Sequence, residues 1–241
     1  MKLKILGSSS KGNCYIIENE KSILILEAGI SFKTVKPEID FQISKIKGVL
    51  VSHEHGDHAE YIPDYLSYSI PVYAPKKTAD KYGTKIIITE HKKVFTVDGF
   101  TIMPFELKHD VQIHGFLISH PETGKILFAT DTYYVPYKFK GLNHILIEIN
   151  YSKKILNENI SKGSIPLIQY RRVLSSHMEL ETTKEMLRAN DLSQVVNIVL
   201  LHLSDGNSNA KEFKQEIESA TGKPVCIADK GLEINLNKRG F

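Results

Sequence analysis

The sequence predicts an α/β fold in which two mixed β-sheets pack together and helices cover their outer faces. Short apolar runs of strand type dominate the first half of the 241-residue chain, and runs of strand and helix type alternate in the second half. In addition, several of the apolar runs end directly in histidine or carboxylate residues, as strands of an open sheet do at a functional edge. A chain in which strands come first, and strands then alternate with helices, is expected to form packed sheets flanked by helices.

The first half reads as short strands joined by turns. Apolar residues at helical spacing predict two helices, over residues 58–68 and 78–82. A hairpin is predicted where Pro-Glu-Thr-Gly separates two strand-like runs. The predicted strands cover residues 2–6, 14–18, 23–26, 47–52 and 71–74, a meander covers 84–107, and the hairpin joins 116–119 to 125–129.

The second half alternates between the two kinds of element. Ser176 and Glu179 have the form of a capping box, which predicts a helix that begins at Ser176 and runs to about Ala189. Gly222 predicts the end of a helix over residues 210–220. A further helix is predicted over 152–159, and strands over 144–149, 195–201, 225–228 and 232–236.

Composition describes an ordinary globular chain, with 41% hydrophobic and 24% charged residues, and the length predicts a single domain over residues 1–241. No apolar stretch approaches the roughly 20 residues that cross a membrane, and the start lacks the apolar core of a signal peptide. We therefore expect a cytoplasmic protein without a membrane partner. Cys14 and Cys226 are expected to be buried free thiols. The net charge of +3 is too small to indicate nucleic-acid binding by itself.

The segment HEHGDH, which begins at His53, is the most informative in the chain. It places three imidazoles and a carboxylate directly after an apolar run, and such donors suit zinc, manganese or iron better than calcium. His53 and His55 are two residues apart in an extended segment and so point the same way. Gly56 is expected to let the backbone turn and direct Asp57 and His58 towards a second ion. The segment therefore predicts a site for two metal ions.

This His-x-His-x-Asp-His pattern after a strand resembles the signature of the metallo-β-lactamase superfamily. The resemblance covers nearly the whole chain, because the family's later ligands match His109, Asp131 and His202 in the family's order. It implies the family's four-layer αβ/βα sandwich, with the metals at one edge between the sheets. In that arrangement one ion is held by His53, His55 and His109, the other by Asp57, His58 and His202, and Asp131 bridges the two.

Such a centre implies a metal-dependent hydrolase with two divalent ions as cofactors, zinc first and manganese second. Each ion would keep an open position for water, whose pKa falls to about 7 when bound, and a bridging hydroxide would attack with Asp57 as the catalytic carboxylate that serves it. Glu27 stands where the superfamily usually has an Asp that steadies the histidine loop, so this contact is one methylene longer here. A zinc-stabilised binding module is disfavoured, because structural sites normally close with four ligands, often cysteines.

Other segments look like those of the YycJ-like branch of the superfamily, which is associated with nucleic-acid processing and DNA exonuclease activity. They are GSSSKGN at 7–13, EINY at 148–151, SSH at 175–177 and HLSDGN at 202–207. The branch tends to have Gly before the histidine that matches His177 and Leu-Ser-Asn after it, whereas this chain has Ser176 before it and Met178 and Glu179 after it. The resemblance implies a nucleic-acid or nucleotide substrate, contacted by Ser9, Ser10, Asn13, Asn150 and His177.

His177 has two interpretations. At a predicted helix start it needs no function, whereas in the site it would protonate the leaving oxygen or hold the scissile phosphate, since a helix N-terminus favours an anion. We expect the second role and count His177 with Asp57 as catalytic. The Gly/Ser loop 7–13 is likewise either a wide turn or a backbone nest that holds a phosphate.

Two other hydrolase activities remain open, namely cyclic-nucleotide phosphodiesterase and ester, thioester or lactone hydrolase. The metal ligands do not distinguish them, although His177 and the loop 7–13 favour a phosphodiester. The segment between Asp131 and His202 has no room for a separate β-CASP cap domain. The sequence leaves open the choice of DNA or RNA, exonuclease or endonuclease action, and homo-oligomer formation.

Overall fold

Two seven-stranded sheets lie face to face in the computed structural model, which describes residues 1–238. Residues 239–241, the last of the predicted domain, lie outside the described part. The first sheet contains, in spatial order, β14 (Glu233–Asn235), β1 (Lys2–Ser9), β2 (Gly12–Glu18), β3 (Ile23–Leu26), β4 (Ile46–Leu50), β5 (Val72–Ala74) and β6 (Ile87–Ile88). The second contains β13 (Val225–Ile227), β12 (Asn197–Leu201), β11 (Leu142–Glu148), β10 (Gly124–Ala129), β9 (His114–His120), β8 (Phe100–Glu106) and β7 (Phe95–Val97).

Eight α-helices accompany these strands within residues 1–238. They are α1 (Phe32–Glu38), α2 (Gly56–Ala59), α3 (Ile62–Ser67), α4 (Lys76–Tyr82), α5 (Lys153–Ser161), α6 (Leu167–Ser176), α7 (Leu180–Arg188) and α8 (Ala210–Thr221). In the described part of the chain, none of these helices has both the length and the apolar character needed to cross a membrane.

The central strands are buried on both faces, which explains their unbroken apolar runs. In β3, Leu24 and Leu26 face the second sheet, whereas Ile23 and Ile25 face the helices outside the first. In β11, Leu146 faces the first sheet, and its neighbours pack under α7 and α8. The period of two therefore produces one core between the sheets and another beneath each helical layer, which is the predicted four-layer sandwich.

The parallel part of each sheet brings the carboxyl ends of its strands to a common edge. Leu26 of β3 lies opposite Leu50 of β4 in the first sheet. In the second sheet, Ile147 of β11 lies opposite both Ala129 of β10 and Leu200 of β12. The residues that follow these strands therefore emerge side by side, as expected for parallel strands.

Most predicted elements are confirmed, including the hairpin of β9 and β10 and the end of α8 at Gly222, whose φ is +65°. The predicted meander over 84–107 is partly wrong, because β6 pairs with β5 in the first sheet and only β7 and β8 pair in the second. Two helices, α1 and α6, are absent from the sequence-based prediction. Cys14 is a buried free thiol as expected, but Cys226 is only half-buried.

The predicted helix start at Ser176 is wrong. Ser176 is instead the last residue of α6, and His177 follows in an extended conformation with φ −129° and ψ 156°. The next helix, α7, begins at Leu180. Its N-cap is Glu179, whose carboxylate accepts hydrogen bonds from the amides of the second and third residues that follow it. Glu179, which was predicted to occupy the third helical position of a capping box, is thus itself the N-cap.

Candidate metal centre

Three histidine nitrogens converge where β4 and β8 end. His55 Nδ1 lies 3.0 Å from His53 Nε2 and 3.3 Å from His109 Nε2. A tetrahedral zinc ion with Zn–N distances of about 2.0–2.1 Å needs ligand nitrogens roughly 3.3–3.4 Å apart. The Oδ2 atom of Asp131 is 3.9 Å from His53 Nε2 and completes a group of four donors. The spacing therefore suits one tetrahedral metal ion.

A second group of donors lies beside the first. His58 Nε2 is 3.5 Å from Asp57 Oδ2 and 3.3 Å from Asp131 Oδ2. His202 Nε2 is 3.5 Å from Asp57 Oδ2 and 3.8 Å from Asp131 Oδ1. In each group the donor atoms all lie within 4.8 Å of one another. Asp131 belongs to both groups, so its position suits a carboxylate shared by two ions. The structure thus brings together all seven residues predicted as ligands.

The backbone turns sharply at three of the strand ends that build the centre. Glu27, Asp131 and His202 have positive φ angles of 67°, 48° and 54°. This left-handed region is uncommon for residues with a Cβ, and such residues tend to occur at functional sites held by their surroundings. Each of these turns directs a charged or ligating side chain from the end of its strand into the centre.

Gly29, and not Gly56, is the glycine that the centre requires. Gly56 begins α2 without a positive φ, and a Cβ placed on it would meet nothing within 4 Å. The expectation that this glycine makes the turn possible is therefore wrong. A Cβ on Gly29 would lie 1.7 Å from the carbonyl oxygen of Asp57 and 2.7 Å from the amide nitrogen of Asn13. The loop after β3 thus packs directly against the backbone of the ligand loop.

The ring nitrogens that face away from the two groups have polar neighbours that orient the rings. Such contacts set the tautomer of a metal-binding histidine. The neighbours are Ser52 Oγ at 2.8 Å from His53 Nδ1 and the Ser176 carbonyl oxygen at 3.1 Å from His109 Nδ1. The Asn150 side chain holds His202 in place, because its amide nitrogen donates to the His202 carbonyl oxygen at 2.8 Å.

Glu27 performs the same task for His58. The side chain of Glu27 is fully buried, and its Oε2 accepts a hydrogen bond from the Ser52 amide at 3.2 Å and lies 3.4 Å from His58 Nδ1. The extra methylene therefore does not remove the contact with the histidine loop. The carboxylate reaches both the backbone of that loop and one of its predicted ligands.

Burial and the carboxylates together set the charges of the centre. Burial lowers the pKa of His53 well below its usual value and that of His109 to about 4, which keeps both rings neutral and able to bind a cation. Burial also lowers the pKa of His58, but Asp131, Glu27 and Asp57 together outweigh burial and raise it well above its usual value. For Asp131, burial raises the pKa, but His202 and His58 outweigh burial and lower it. The ionised carboxylates therefore attract positive charge into a buried position.

The residues present fit divalent metal ions. His202 Nε2 is buried and has no hydrogen-bond partner among residues 1–238. Leaving a buried polar atom unpaired costs about 1–3 kcal/mol, and coordination to a cation would remove that cost. The donors are imidazole and carboxylate, which zinc and manganese accept. The arrangement is that of a divalent-metal site.

His177 lies beside this centre, held by a carboxylate that sequence reasoning did not assign. Its Nδ1 is 2.6 Å from Glu148 Oε1, and the other oxygen of Glu148 accepts a hydrogen bond from the Thr132 amide at 2.8 Å. Burial lowers the pKa of His177, but Glu148 outweighs burial and raises it to about 9. The imidazole ring stacks on that of His202, with 5.4 Å between the ring centroids. With Nδ1 engaged, Nε2 is the nitrogen available to a substrate.

Four of the five predicted substrate contacts line one cavity of about 430 Å³ next to the centre, namely Ser9, Ser10, Asn150 and His177. The loop 7–13 is a tight turn between β1 and β2, with Ser9 opposite Gly12. The segment is therefore a turn but not the wide one that was expected, because residues 7–9 and 12–13 belong to the strands, and its serines line the cavity.

Asn13 does not line that cavity, contrary to the prediction. It is fully buried, because β2 has already begun at Gly12 and directs this side chain inwards. Its amide nitrogen donates to the carbonyl oxygen of Asp57 at 3.1 Å and lies 3.0 Å from His58 Nε2. Asn13 thus positions the ligand loop.

Glu148 and Arg172 are the site residues that the sequence-based prediction missed. Glu148 ends the buried strand β11, in the same way that other site residues end their strands, and this position was the available signal. Arg172 lies on α6 and lines the cavity next to His177. In the sequence the pair Arg171-Arg172 was interpreted as solvated surface rather than as a substrate contact, and α6 itself was not predicted.

Comparisons with known proteins agree with this geometry. Residues 25–203 match the family model described as the beta-lactamase superfamily domain. The chain is 29% identical over 227 residues to Exodeoxyribonuclease YycJ of Bacillus anthracis, a match that covers 87% of this chain and 84% of that protein. It is 32% identical over 254 aligned positions to Ribonuclease J of Mycoplasma genitalium, which covers 93% of this chain but 43% of that protein.

The fold is also that of solved structures. The metallo-beta-lactamase fold protein YhfI from Bacillus subtilis superposes with a TM-score of 0.73, covering 97% of this chain and 99% of that chain. The sequence identity of this pair is 14%, so the likeness concerns the fold alone.

Proposed function

Since the chain belongs to the metallo-β-lactamase superfamily, we propose that it is a metal-dependent hydrolase that cleaves phosphodiester bonds of nucleic acid. The similarity to Exodeoxyribonuclease YycJ over most of both chains supports a nuclease, and DNA as the first substrate to test. The observation that carries the proposal is the pair of histidine and carboxylate groups that share Asp131 beside a cavity lined by His177. A substrate of this kind also supports the expected cytoplasmic location.

Two ions, zinc or manganese, would be held by the ligands named above, one by His53, His55 and His109, the other by Asp57, His58 and His202, and both by Asp131. When bound, such ions polarise the phosphate and supply a nucleophilic water at neutral pH. The spacing within each group of donors and the unpaired His202 Nε2 support this occupancy.

The chain's own residues would then orient the reaction. The side chain of Asp57 is 22% exposed, more than its partners in the second group, so it faces the open side and can hold the attacking water in place through a hydrogen bond. His177 would donate a proton to the leaving oxygen through Nε2, while Glu148 holds the ring in place through Nδ1. This division matches a general acid oriented by a buried carboxylate. Asn150 and the two serines at the turn after β1 would contact the substrate strand.

The proposal is tested with purified protein on single-stranded DNA, RNA, cyclic nucleotides and lactones, before and after metal removal by a chelator. We expect cleavage of a nucleic acid, loss on chelation, and recovery with zinc or manganese. Asp57→Ala should abolish cleavage and keep the fold by circular dichroism. Asp80→Ala is a matched control, because Asp80 is exposed and, within residues 1–238, forms an ion pair only with Lys76 on α4. Normal turnover by Asp57→Ala, or hydrolysis of lactones alone, would contradict the proposal.

A further inference from the structure

We propose that Arg172 binds the phosphate next to the scissile one, so that the cavity beside His177 holds one nucleotide unit of the substrate strand. This inference rests on the proposed nuclease function. It adds a positive side chain from α6, an element that supplies none of the predicted metal ligands.

The helix that carries Arg172 is fixed to the metal centre. The carbonyl oxygen of Ser176, at the end of α6, accepts a hydrogen bond from His109 Nδ1 at 3.1 Å. Arg172 lies one helical turn before Ser176, and it lines the cavity together with His177. Gln169 and Val173 accompany it along the wall of the cavity. The part of α6 that carries Arg172 is therefore held at a fixed position relative to the candidate metal centre.

The charge of Arg172 is available to a substrate. The residue is exposed, and within residues 1–238 it forms no ion pair with a carboxylate. One carboxylate, that of Asp205, lines the cavity from the loop that follows His202. A phosphate would therefore bind on the α6 side, near Arg172 and His177. Guanidinium groups bind phosphate with two parallel hydrogen bonds, which gives both strength and direction.

The rest of the cavity suits the uncharged part of a nucleotide. Ile165, Val173 and Leu203 provide apolar surface for a sugar or base, and Gln169 provides a donor and an acceptor. Apolar side chains combined with polar groups at fixed positions are typical of pockets that orient a small ligand. Apolar surface together with the guanidinium group of Arg172 points to a nucleotide unit with its phosphate at the Arg172 end.

The test compares Arg172→Gln with Arg171→Gln on two substrates. Arg171 is a matched control, because it is the exposed neighbour on the same helix and does not line the cavity. A dinucleoside monophosphate has only the scissile phosphate, whereas the same compound with an added 5′- or 3′-phosphate has a flanking one. We expect Arg172→Gln to lower kcat/KM roughly 10–100-fold on one of the two phosphorylated compounds, the loss expected for a charge-assisted hydrogen bond. The loss should be much smaller on the unphosphorylated compound.

Two further measurements distinguish a direct contact with one phosphate from general electrostatic attraction between the protein and the nucleic acid. On single-stranded DNA, removal of one phosphate contact should reduce the slope of log KM against log salt concentration by about 0.7 for Arg172→Gln. Arg171→Gln should leave both the slope and kcat/KM within twofold of the original protein. Arg172→Lys keeps the positive charge but lacks the planar pair of N–H donors that a guanidinium presents to phosphate. It should therefore recover only part of the loss.

The contrary outcomes are distinct. Equal losses in Arg171→Gln and Arg172→Gln, or equal losses on both substrates, would overturn the assignment of Arg172. If nucleic acid is cleaved but Arg172→Gln behaves as the original protein, the subsite is wrong and the nuclease proposal stands. If no nucleic acid is cleaved, both proposals fail together.

Discussion

Glu148 contacts two side chains that have different roles in the proposed reaction. One of its oxygens is 2.6 Å from His177 Nδ1 and 3.6 Å from His202 Nδ1, so a single buried carboxylate touches both the proposed acid and a predicted ligand. The Thr132 amide holds its second oxygen, next in sequence to the shared Asp131. A single residue of this kind is hard to predict, because its role depends on three strand ends that meet only in the folded chain.

His177→Ala should keep the metal content of the protein and lose activity in proportion to the difficulty of the leaving group. Acid assistance is typically worth roughly 10²–10⁴-fold, so we expect a loss in this range on a nucleotide substrate. An activated nitrophenyl ester should suffer less, because its leaving group needs little protonation. Metal analysis and rates on the two substrates check this. Equal losses would argue against the acid role, and loss of a metal would make His177 a ligand instead.

At the scale of elements, the strand ends were predictable and the connecting helices were not. Apolar runs such as that of β4 indicate a buried strand without any partner in view, and the donors that follow mark the functional edge. In contrast, α6 leaves the apolar side chains of Leu167 and Ile168 54% and 81% exposed, and few of its other side chains are buried. Its sequence therefore lacks a clear helical pattern of apolar residues. The start of α7 was misplaced by three residues because Ser176 has the N-cap preference and Glu179 fits the third helical position of a capping box. Only the hydrogen bonds of the folded chain show that Glu179 is the cap.

Gly29→Ala should disturb the second group of ligands, although Gly29 is not itself a ligand. The added methyl group would overlap the carbonyl oxygen of Asp57, so the ligand loop must move. We expect weaker metal retention, at least tenfold lower activity, and a lower free energy of unfolding by about 1–3 kcal/mol, as for other overpacked sites. Titration with a competing chelator and urea unfolding measure these effects. Gly56→Ala, one residue from Asp57 but facing open space, is the control and should change neither quantity appreciably.

For the whole molecule, the order of strand-like and helix-like runs predicted two packed sheets flanked by helices, and the resemblance to a known superfamily supplied the four-layer arrangement. The pairing of β6 with β5 across the first sheet could not be read in this way. Both residues of β6, Ile87 and Ile88, are half exposed at the sheet edge, so no apolar pattern marks their partner.

The stability of the whole chain should fall in mild acid in a way that can be assigned to His144. Its Nε2 donates to the Leu236 carbonyl at 2.8 Å, and burial lowers its pKa to about 4. The unfolded chain, with a histidine pKa of about 6.5, therefore binds the proton first as the pH falls. The stabilisation is fully present above pH 6.5 and is lost progressively towards pH 4, by about 2 kcal/mol at pH 5.

Urea unfolding of the metal-free protein at pH 7 and pH 5 measures this loss, and His144→Gln isolates it, since glutamine does not titrate. The difference between the two pH values should shrink by about 2 kcal/mol in His144→Gln relative to the original protein. An unchanged difference would show that His144 does not contribute to the acid sensitivity.

Each group of predicted metal ligands draws on both sheets. His53, His55, Asp57 and His58 follow strands of the first sheet, whereas His109, Asp131 and His202 follow strands of the second. Ions bound there would cross-link the two halves of the chain, in addition to hydrogen bonds such as those from the His114 amide to the Ser52 carbonyl oxygen and from the His202 amide to Ser8 Oγ. Because a ligand that binds only the folded chain adds about 2.7 kcal/mol at a concentration one hundred times its Kd, the lifetime of the protein would follow the supply of metal in its surroundings.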